Sequence, residues 1–374
     1  MGEPHLSAAP LGRTRLGARE RGARRLSPQR TRNLSPWASW MLRLEHVAPV
    51  DAFPDDGGAA DVLAWRDRAR HRYHDLLGPR PPRVAPDVER TETVDCGPYR
   101  RDRIVFDADP TMSVPAYLLV PHGRREPGPA VLAVHGHGPG KHGVCAVDPG
   151  DGHDDGGRYA HDLASRGYLV LAPDLRCFGE RTDWNPPDHY ACDTNLVSAV
   201  MFGVNPLADN VSDLVAALDV LAAHELVDPG RVGAVGFSYG ATATLFVAAL
   251  DERVRAAVVS GYFSSWRDAH RMPWNMCGSQ VLFGMLGRLD HVDLGALVAP
   301  RALLVESGRD DLLFPVAAAR TGILRLRRVY DALGEPPTRV EHHVFDGEHR
   351  WDGATTPAFL ERWLGNPTPE RATP

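Results

Sequence analysis

Residues 231–250 read Arg-Val-Gly-Ala-Val-Gly-Phe-Ser-Tyr-Gly-Ala-Thr-Ala-Thr-Leu-Phe-Val-Ala-Ala-Leu. The run 231–235 is apolar enough for a buried strand, and 241–250 is small and apolar with a helical pattern. Gly236-Phe237-Ser238-Tyr239-Gly240 joins them through a turn too short for anything but a sharp reversal. A serine on such a turn adopts a strained backbone conformation, and flanking residues without Cβ let the strand and helix pass closely. Its hydroxyl is thereby exposed, and the helix that follows directs the backbone N–H of Tyr239 toward any group the serine attacks. This context makes Ser238 the candidate nucleophile.

A serine hydroxyl needs a base, and the base needs a carboxylate to orient it. Downstream, Arg301-Ala-Leu-Leu-Val-Glu306 reads as a buried strand and runs into Ser-Gly-Arg-Asp-Asp-Leu-Leu-Phe-Pro, residues 307–315. Pro315 opens the next helix, so the residues alone leave the acid as Asp310 or Asp311. A further helix and a strand near 338–345 lead to Asp346-Gly-Glu-His-Arg-Trp351. His349 then falls in the loop before the last helix, the position expected for the base.

The remaining pattern alternates. A helix is predicted over 61–77, ended by Gly78 and the prolines that follow, and strands near 99–106 and 114–120 give an antiparallel opening. Further strands centre on Leu132, Val170, Val235, Val258, Leu304 and Val340. Helices fall near 159–166, 208–224, 239–250, 316–333 and 357–363. Such alternation predicts an α/β architecture: a mostly parallel central sheet with helices on both faces and ligands at the carboxyl ends of the strands. Ser238, the acid and His349 would share that edge. Two connections, 177–207 and 261–297, exceed ordinary loops and are expected to overhang the site as long loops or a small cap. Trp184, Trp266 and Trp274 are the candidate pocket walls within them, against the alternative that these aromatics form a satellite core.

Four segments together resemble the α/β-hydrolase superfamily, in its dienelactone-hydrolase and acetyl-xylan-esterase-like branch. They are Val134-His135-Gly136-His137-Gly138, Pro173-Asp174-Leu175-Arg176-Cys177-Phe178-Gly179-Glu180, the serine turn, and 299–315. The resemblance covers roughly 90–364. It implies an α/β-hydrolase fold, favours Asp311 over Asp310, and makes the backbone N–H groups of His137 and Tyr239 the oxyanion hole. The implied activity is carboxylic ester hydrolysis through a Ser238-His349-Asp311 triad and an acyl-enzyme, on a small-molecule ester with a short acyl group. A dienelactone-type enzyme uses cysteine as nucleophile, so Ser238 departs from that pattern toward ordinary esters. A prolyl-oligopeptidase-like peptidase or amidase and a noncatalytic ligand-binding relative are the alternatives, although no repeats announce a propeller domain.

Composition narrows the partners. The 374 residues carry a net charge of −6, of which residues 1–40, with eight Arg and two acidic residues, contribute +6 and the remainder −12. An acidic body excludes nucleic-acid binding by the core, and no run of about 18 apolar residues predicts a membrane span. Five widely spaced cysteines form no disulfide framework. His135, His137, His142 and the acidic run 148–155 with His153 offer metal donors, but CxxC and HExxH spacings are missing, so neither metal nor cofactor is expected. Asp174, Arg176 and Glu180 are read as a structural ion pair. The single lysine, Lys141, is set down to genome composition.

The expected organisation is a disordered basic tail over 1–40, a helical extension over 41–89, the catalytic domain over 90–366 and a flexible terminus over 367–374. Arg24-Arg25 lacks the apolar segment a twin-arginine signal requires. A transit peptide and translation from Met41 are alternatives to a cytoplasmic protein with a dispensable tail, and oligomeric state is left open.

Overall fold

A computed structural model of the protein describes residues 33–147, 156–183, 191–271 and 276–365. The chain divides into two compact units, Met1–Val47 and Ala48–Pro374. In the first, the helix Pro36–Leu44 starts at Ser35, whose hydroxyl accepts the Ala38 N–H.

Among the described residues the second unit is built on nine strands: β1 Glu89–Asp95, β2 Tyr99–Asp109, β3 Met112–Pro121, β4 Gly128–Val134, β5 Leu169–Pro173, β6 Val227–Phe237, β7 Val254–Ser260, β8 Ala302–Gly308 and β9 Val340–Phe345. Their order in the sheet is β1-β2-β3-β5-β4-β6-β7-β8-β9. The first three strands and the β3/β5 pair are antiparallel, and every pair from β5/β4 to β8/β9 is parallel. The six strands centred on Leu132, Val170, Val235, Val258, Leu304 and Val340 all form as expected, as does the antiparallel opening. β1 was not expected. Its sequence, Glu-Arg-Thr-Glu-Thr-Val-Asp, is exposed at nearly every position, so this edge strand shows no apolar alternation.

The central strands are buried on both faces because helices cover both. Along β4, Ala130, Leu132 and Val134 join one core while Val131 and Ala133 join the other, the two-residue period of a pleated strand. The larger core takes side chains from the helices Ala59–Leu77, Pro206–Ala223, Tyr239–Leu250, His291–Val298 and Val316–Ala332. The smaller is covered by Tyr159–Ser165 and Thr356–Leu364.

Local chemistry sets these helices. Pro206 occupies the first turn of its helix, and Asn205 caps it by accepting the N–H groups of Leu207 and Ala208. Leu207, Val211, Leu214, Leu218 and Leu221 then return at helical spacing as buried residues. On the helix Ala59–Leu77, Tyr73 donates its hydroxyl to the Phe246 carbonyl at 2.8 Å, which fixes it over the helix that follows the serine turn. Among the described residues, no helix is long and apolar enough to cross a membrane.

Candidate active site

Ser238 stands between β6 and the helix Tyr239–Leu250 with φ +55° and ψ −120°, a conformation a non-glycine residue adopts only under constraint. Its neighbours supply that constraint. A Cβ on Gly240 would lie 1.9 Å from the Val134 carbonyl oxygen, and one on Gly236 2.3 Å from the Gly240 oxygen. Both positions therefore admit only glycine, for the reason of crowding read from the sequence. The Ser238 N–H donates to Ser260 O at 2.9 Å, and its carbonyl accepts the Thr242 N–H, the first bond of the helix.

β8 delivers the acid. Asp311 lies beyond its end and turns back on itself: its Oδ1 accepts the N–H groups of Leu313 at 2.8 Å and Phe314 at 3.0 Å. That Asx turn aims Oδ2 at His349 Nδ1, 2.8 Å away. His349 Nε2 in turn is 2.9 Å from Ser238 Oγ. Asp310 is exposed, and among the described residues only its N–H is engaged, with the Gly347 carbonyl. The adjacent aspartates that the residues alone left open are thus separated by the direction of one turn.

Glycines also bring the histidine loop in. A Cβ on Gly308 would meet the Glu348 oxygen at 2.4 Å, so the loop after β9 lies directly against β8. The His349 ring packs on Phe237, with centroids 4.8 Å apart, and on Phe314 at 5.8 Å. The Asp311 side chain is 1% exposed and that of His349 20%. A buried carboxylate, a half-buried imidazole and a serine hydroxyl form one hydrogen-bonded line that ends at solvent.

The segment after β4 runs beside this line. β4 and β6 pair in register from Val131 with Gly233 to Val134 with Gly236. A Cβ on Gly136 would be 3.5 Å from the Ser238 Cβ, so the loop passes immediately alongside the serine. Its two histidines have different surroundings. His135 is buried and accepts the Leu175 N–H at Nε2, leaving Nδ1 to donate to the Gly136 carbonyl. Burial, the largest effect, lowers its pKa, so a neutral imidazole holds the loop in shape. His137 is exposed, and its ring lies 5.2 Å from that of Tyr239 and 5.4 Å from that of Phe178. Tyr239, fully buried, accepts the Asn210 side-chain N–H at its hydroxyl.

Asp174, Arg176 and Glu180 are all ion-paired, though not with one another. Asp174 and Glu180 converge on Lys141 Nζ at 2.6 and 2.5 Å. Arg176 instead binds Asp109, Asp209 and Asp213. Lys141 is fully buried, so the chain's one lysine occupies a position where a compact ammonium is enclosed by two carboxylates. Sequence reasoning missed it, and its rarity was the available signal.

Of the three tryptophans named as pocket walls, Trp184 and Trp274 lie outside the described residues. Trp266 is 3% exposed, donates its indole N–H to Leu289 O and packs edge-on to His291. Its indole is therefore a core side chain, as are those of Tyr262 and Phe263 from the same connection. These three aromatics thus join the larger core itself rather than a separate satellite cluster.

A serine on a sharp strand-to-helix turn, an acid and a histidine on later strand ends of the same sheet, and a mostly parallel sheet beneath them define an α/β-hydrolase. Residues 115–283 match the dienelactone hydrolase family. The Bacillus subtilis (strain 168) protein YtaP, named provisionally as a hydrolase, is 29% identical over 195 residues, 52% of this chain and 63% of that one. The match thus spans less than two thirds of that relative's length. Among solved structures, a Bacteroides fragilis protein described provisionally as an acetyl xylan esterase aligns with a TM-score of 0.70 at 20% identity, covering 84% of this chain and 83% of its own. The glucuronoyl esterase of Solibacter usitatus aligns with a TM-score of 0.62 at 17% identity over 82% of this chain and 93% of its own. The chain has an α/β-hydrolase fold, and its segment 115–283 is similar to the dienelactone hydrolase family.

Proposed function

We propose that the protein is a serine esterase that hydrolyses carboxylic esters of short acyl groups, acetyl esters foremost, through an acyl-enzyme. One observation carries the reading: the continuous hydrogen-bonded line from Asp311 through His349 to Ser238. With Asp311 accepting at Nδ1, that nitrogen carries the imidazole proton and Nε2 is left as the acceptor facing the serine hydroxyl. His349 takes the hydroxyl proton as Oγ attacks the carbonyl carbon. The imidazolium so formed is stabilised by the Asp311 carboxylate.

The tetrahedral oxyanion is assigned to the backbone N–H groups of Tyr239 and His137. Tyr239 is the first residue of its helix, where an N–H has no partner within the helix, and the helix dipole favours negative charge there. Removing one such donor typically costs about 10²-fold in kcat. Collapse of the intermediate expels the alcohol, which takes the proton from His349. Water activated by the same imidazole then releases the acid and restores Ser238.

The family match and the names of the structural neighbours support ester chemistry, the two aligned neighbours being described as an acetyl xylan esterase and a glucuronoyl esterase. Initial rates on p-nitrophenyl esters from acetyl to decanoyl, for wild type and Ser238→Ala together, test the proposal. A serine-dependent rate that falls steeply with chain length is expected. Equal rates in the two proteins, or serine-dependent cleavage of aminoacyl p-nitroanilides alone, would overturn it.

A further inference from the structure

Three soft or borderline ligands converge on the rim of the candidate active site. They are His137 Nε2, Cys192 Sγ and Cys277 Sγ, all within 4.8 Å of one another, with His137 Nε2 4.0 Å from Cys192 Sγ. They come from three distant parts of the chain: the loop after β4, the first turn of the helix Ala191–Phe202, and the turn that precedes the short helix Gly278–Gln280. We propose that this cluster is a binding site for one zinc-like divalent cation, held by two thiolates and an imidazole with a fourth position open to solvent.

The spacing fits. Tetrahedral zinc with bonds of about 2.3 Å to sulfur and 2.0 Å to nitrogen places its ligand atoms about 3.5–3.8 Å apart. Closing the observed cluster onto an ion requires movements under about 1 Å, and the exposed His137 is the ligand free to make them. Thiolate and imidazole donors select zinc and its soft neighbours over magnesium or calcium, which require oxygen.

The supports behind the ligands are equally specific. Ser279 donates its hydroxyl to the Cys192 carbonyl, the Gly278 N–H donates to Asp193 Oδ1, and the Cys277 N–H donates to Gln280 Oε1. Gln280 is anchored in turn to Thr242 Oγ1. These bonds lock the two cysteine-bearing segments together before any ion arrives, the preorganisation that metal sites need. Cys192 is buried, Cys277 half-buried and His137 exposed, so the cluster has a closed floor and an open mouth. Binding displaces the two thiol protons to solvent and changes no oxidation state: the ion, two thiols and a neutral imidazole become one complex and two protons. The ion would also tie down the loop whose backbone N–H the esterase proposal uses, although the site itself does not depend on that proposal.

Wild-type protein, stripped of metal and reduced with a phosphine, is titrated with Co²⁺ and then Zn²⁺, beside Cys192→Ser, Cys277→Ser and the control Cys96→Ser. Expected are one Co²⁺ per chain with thiolate-to-cobalt charge-transfer absorption, displacement by one Zn²⁺, and at least about tenfold weaker binding in each of the first two variants. Cys96→Ser should match wild type. Absence of saturable binding by wild type, or unchanged affinity in both site variants, overturns the proposal. Should a serine variant fail to fold, alkylation of wild type decides: one equivalent of Zn²⁺ is expected to shield Cys277 from iodoacetamide, and undiminished labelling overturns the site. These readouts do not depend on ester hydrolysis, so they separate this proposal from the preceding one.

Discussion

Replacing Asp311 by Asn exposes the logic of the site, because the amide has one oxygen where the carboxylate has two. In the native arrangement Oδ1 accepts two backbone N–H groups, from Leu313 and Phe314, and Oδ2 faces His349 Nδ1. An amide oxygen satisfies the two buried N–H donors best, which turns the NH₂ toward the imidazole. His349 Nδ1 must then accept, its proton moves to Nε2, and Nε2 donates to Ser238 Oγ instead of receiving from it. The variant loses the base and the stabilisation of the imidazolium together. Loss of the corresponding carboxylate in such triads costs about 10⁴-fold in kcat, which is about 5.4 kcal/mol at 1.36 kcal/mol per tenfold. Stability should change by less than about 1 kcal/mol, since the two turn hydrogen bonds persist. The assay is kcat for p-nitrophenyl acetate with urea unfolding as the control for folding. Asp310→Asn, at an exposed side chain, should stay within about twofold of wild type. A loss under tenfold for Asp311→Asn, or a larger loss for Asp310→Asn, would refute the reasoning.

Gly240→Ala places a methyl group 1.9 Å from the Val134 carbonyl oxygen and should cost at least about 3 kcal/mol in chemical unfolding, or leave no folded protein; a cost below about 1 kcal/mol would contradict the packing argument. Lys141→Met removes the ammonium paired with the buried Asp174 carboxylate, leaving it among the described residues with the backbone N–H donors of Lys141 and Glu180, and should destabilise by about 3–5 kcal/mol in urea at neutral pH, with Lys141→Met/Asp174→Asn recovering part of the loss. Burial pushes the Asp293 carboxyl up to about 7, so its contribution to stability is complete below the unfolded value of about 4 and is lost as pH rises through 7. Between pH 5 and 8, Asp293→Asn should therefore lose about 2 kcal/mol less stability than wild type, and parallel curves for the two proteins would show the carboxyl to be ionised in the fold throughout.

The serine turn, the strands it joins and the last-loop histidine were legible because each depends on local pattern: an apolar run, a glycine-bounded turn, an alternation repeated along the chain. The choice between Asp310 and Asp311 was not local in that sense. It rests on which carboxylate folds back over Leu313 and Phe314, and the Asp-Leu-Leu-Phe-Pro order was the readable trace of that turn. The helix Ala191–Phe202 escaped notice because its apolar residues are spread around the axis, with Val197, Val200, Met201 and Phe202 all exposed. The helix His291–Val298 is buried on every side and likewise shows no stripe. The expectation of no metal came from scanning for short spacings, whereas His137, Cys192 and Cys277 meet only through the tertiary fold. Lys141 had a compositional signal but no partner visible in sequence, since Asp174 lies 33 residues away.

Ser238 is the residue on which the functional account stands, and covalent labelling tests it most directly. Wild-type protein treated with a fluorophosphonate should gain one adduct per chain by intact mass, mapped to the peptide containing Ser238, and Ser238→Ala should gain none. Unlabelled wild type of proven fold, or an equal adduct on Ser238→Ala, would contradict the claim that this serine is the activated nucleophile.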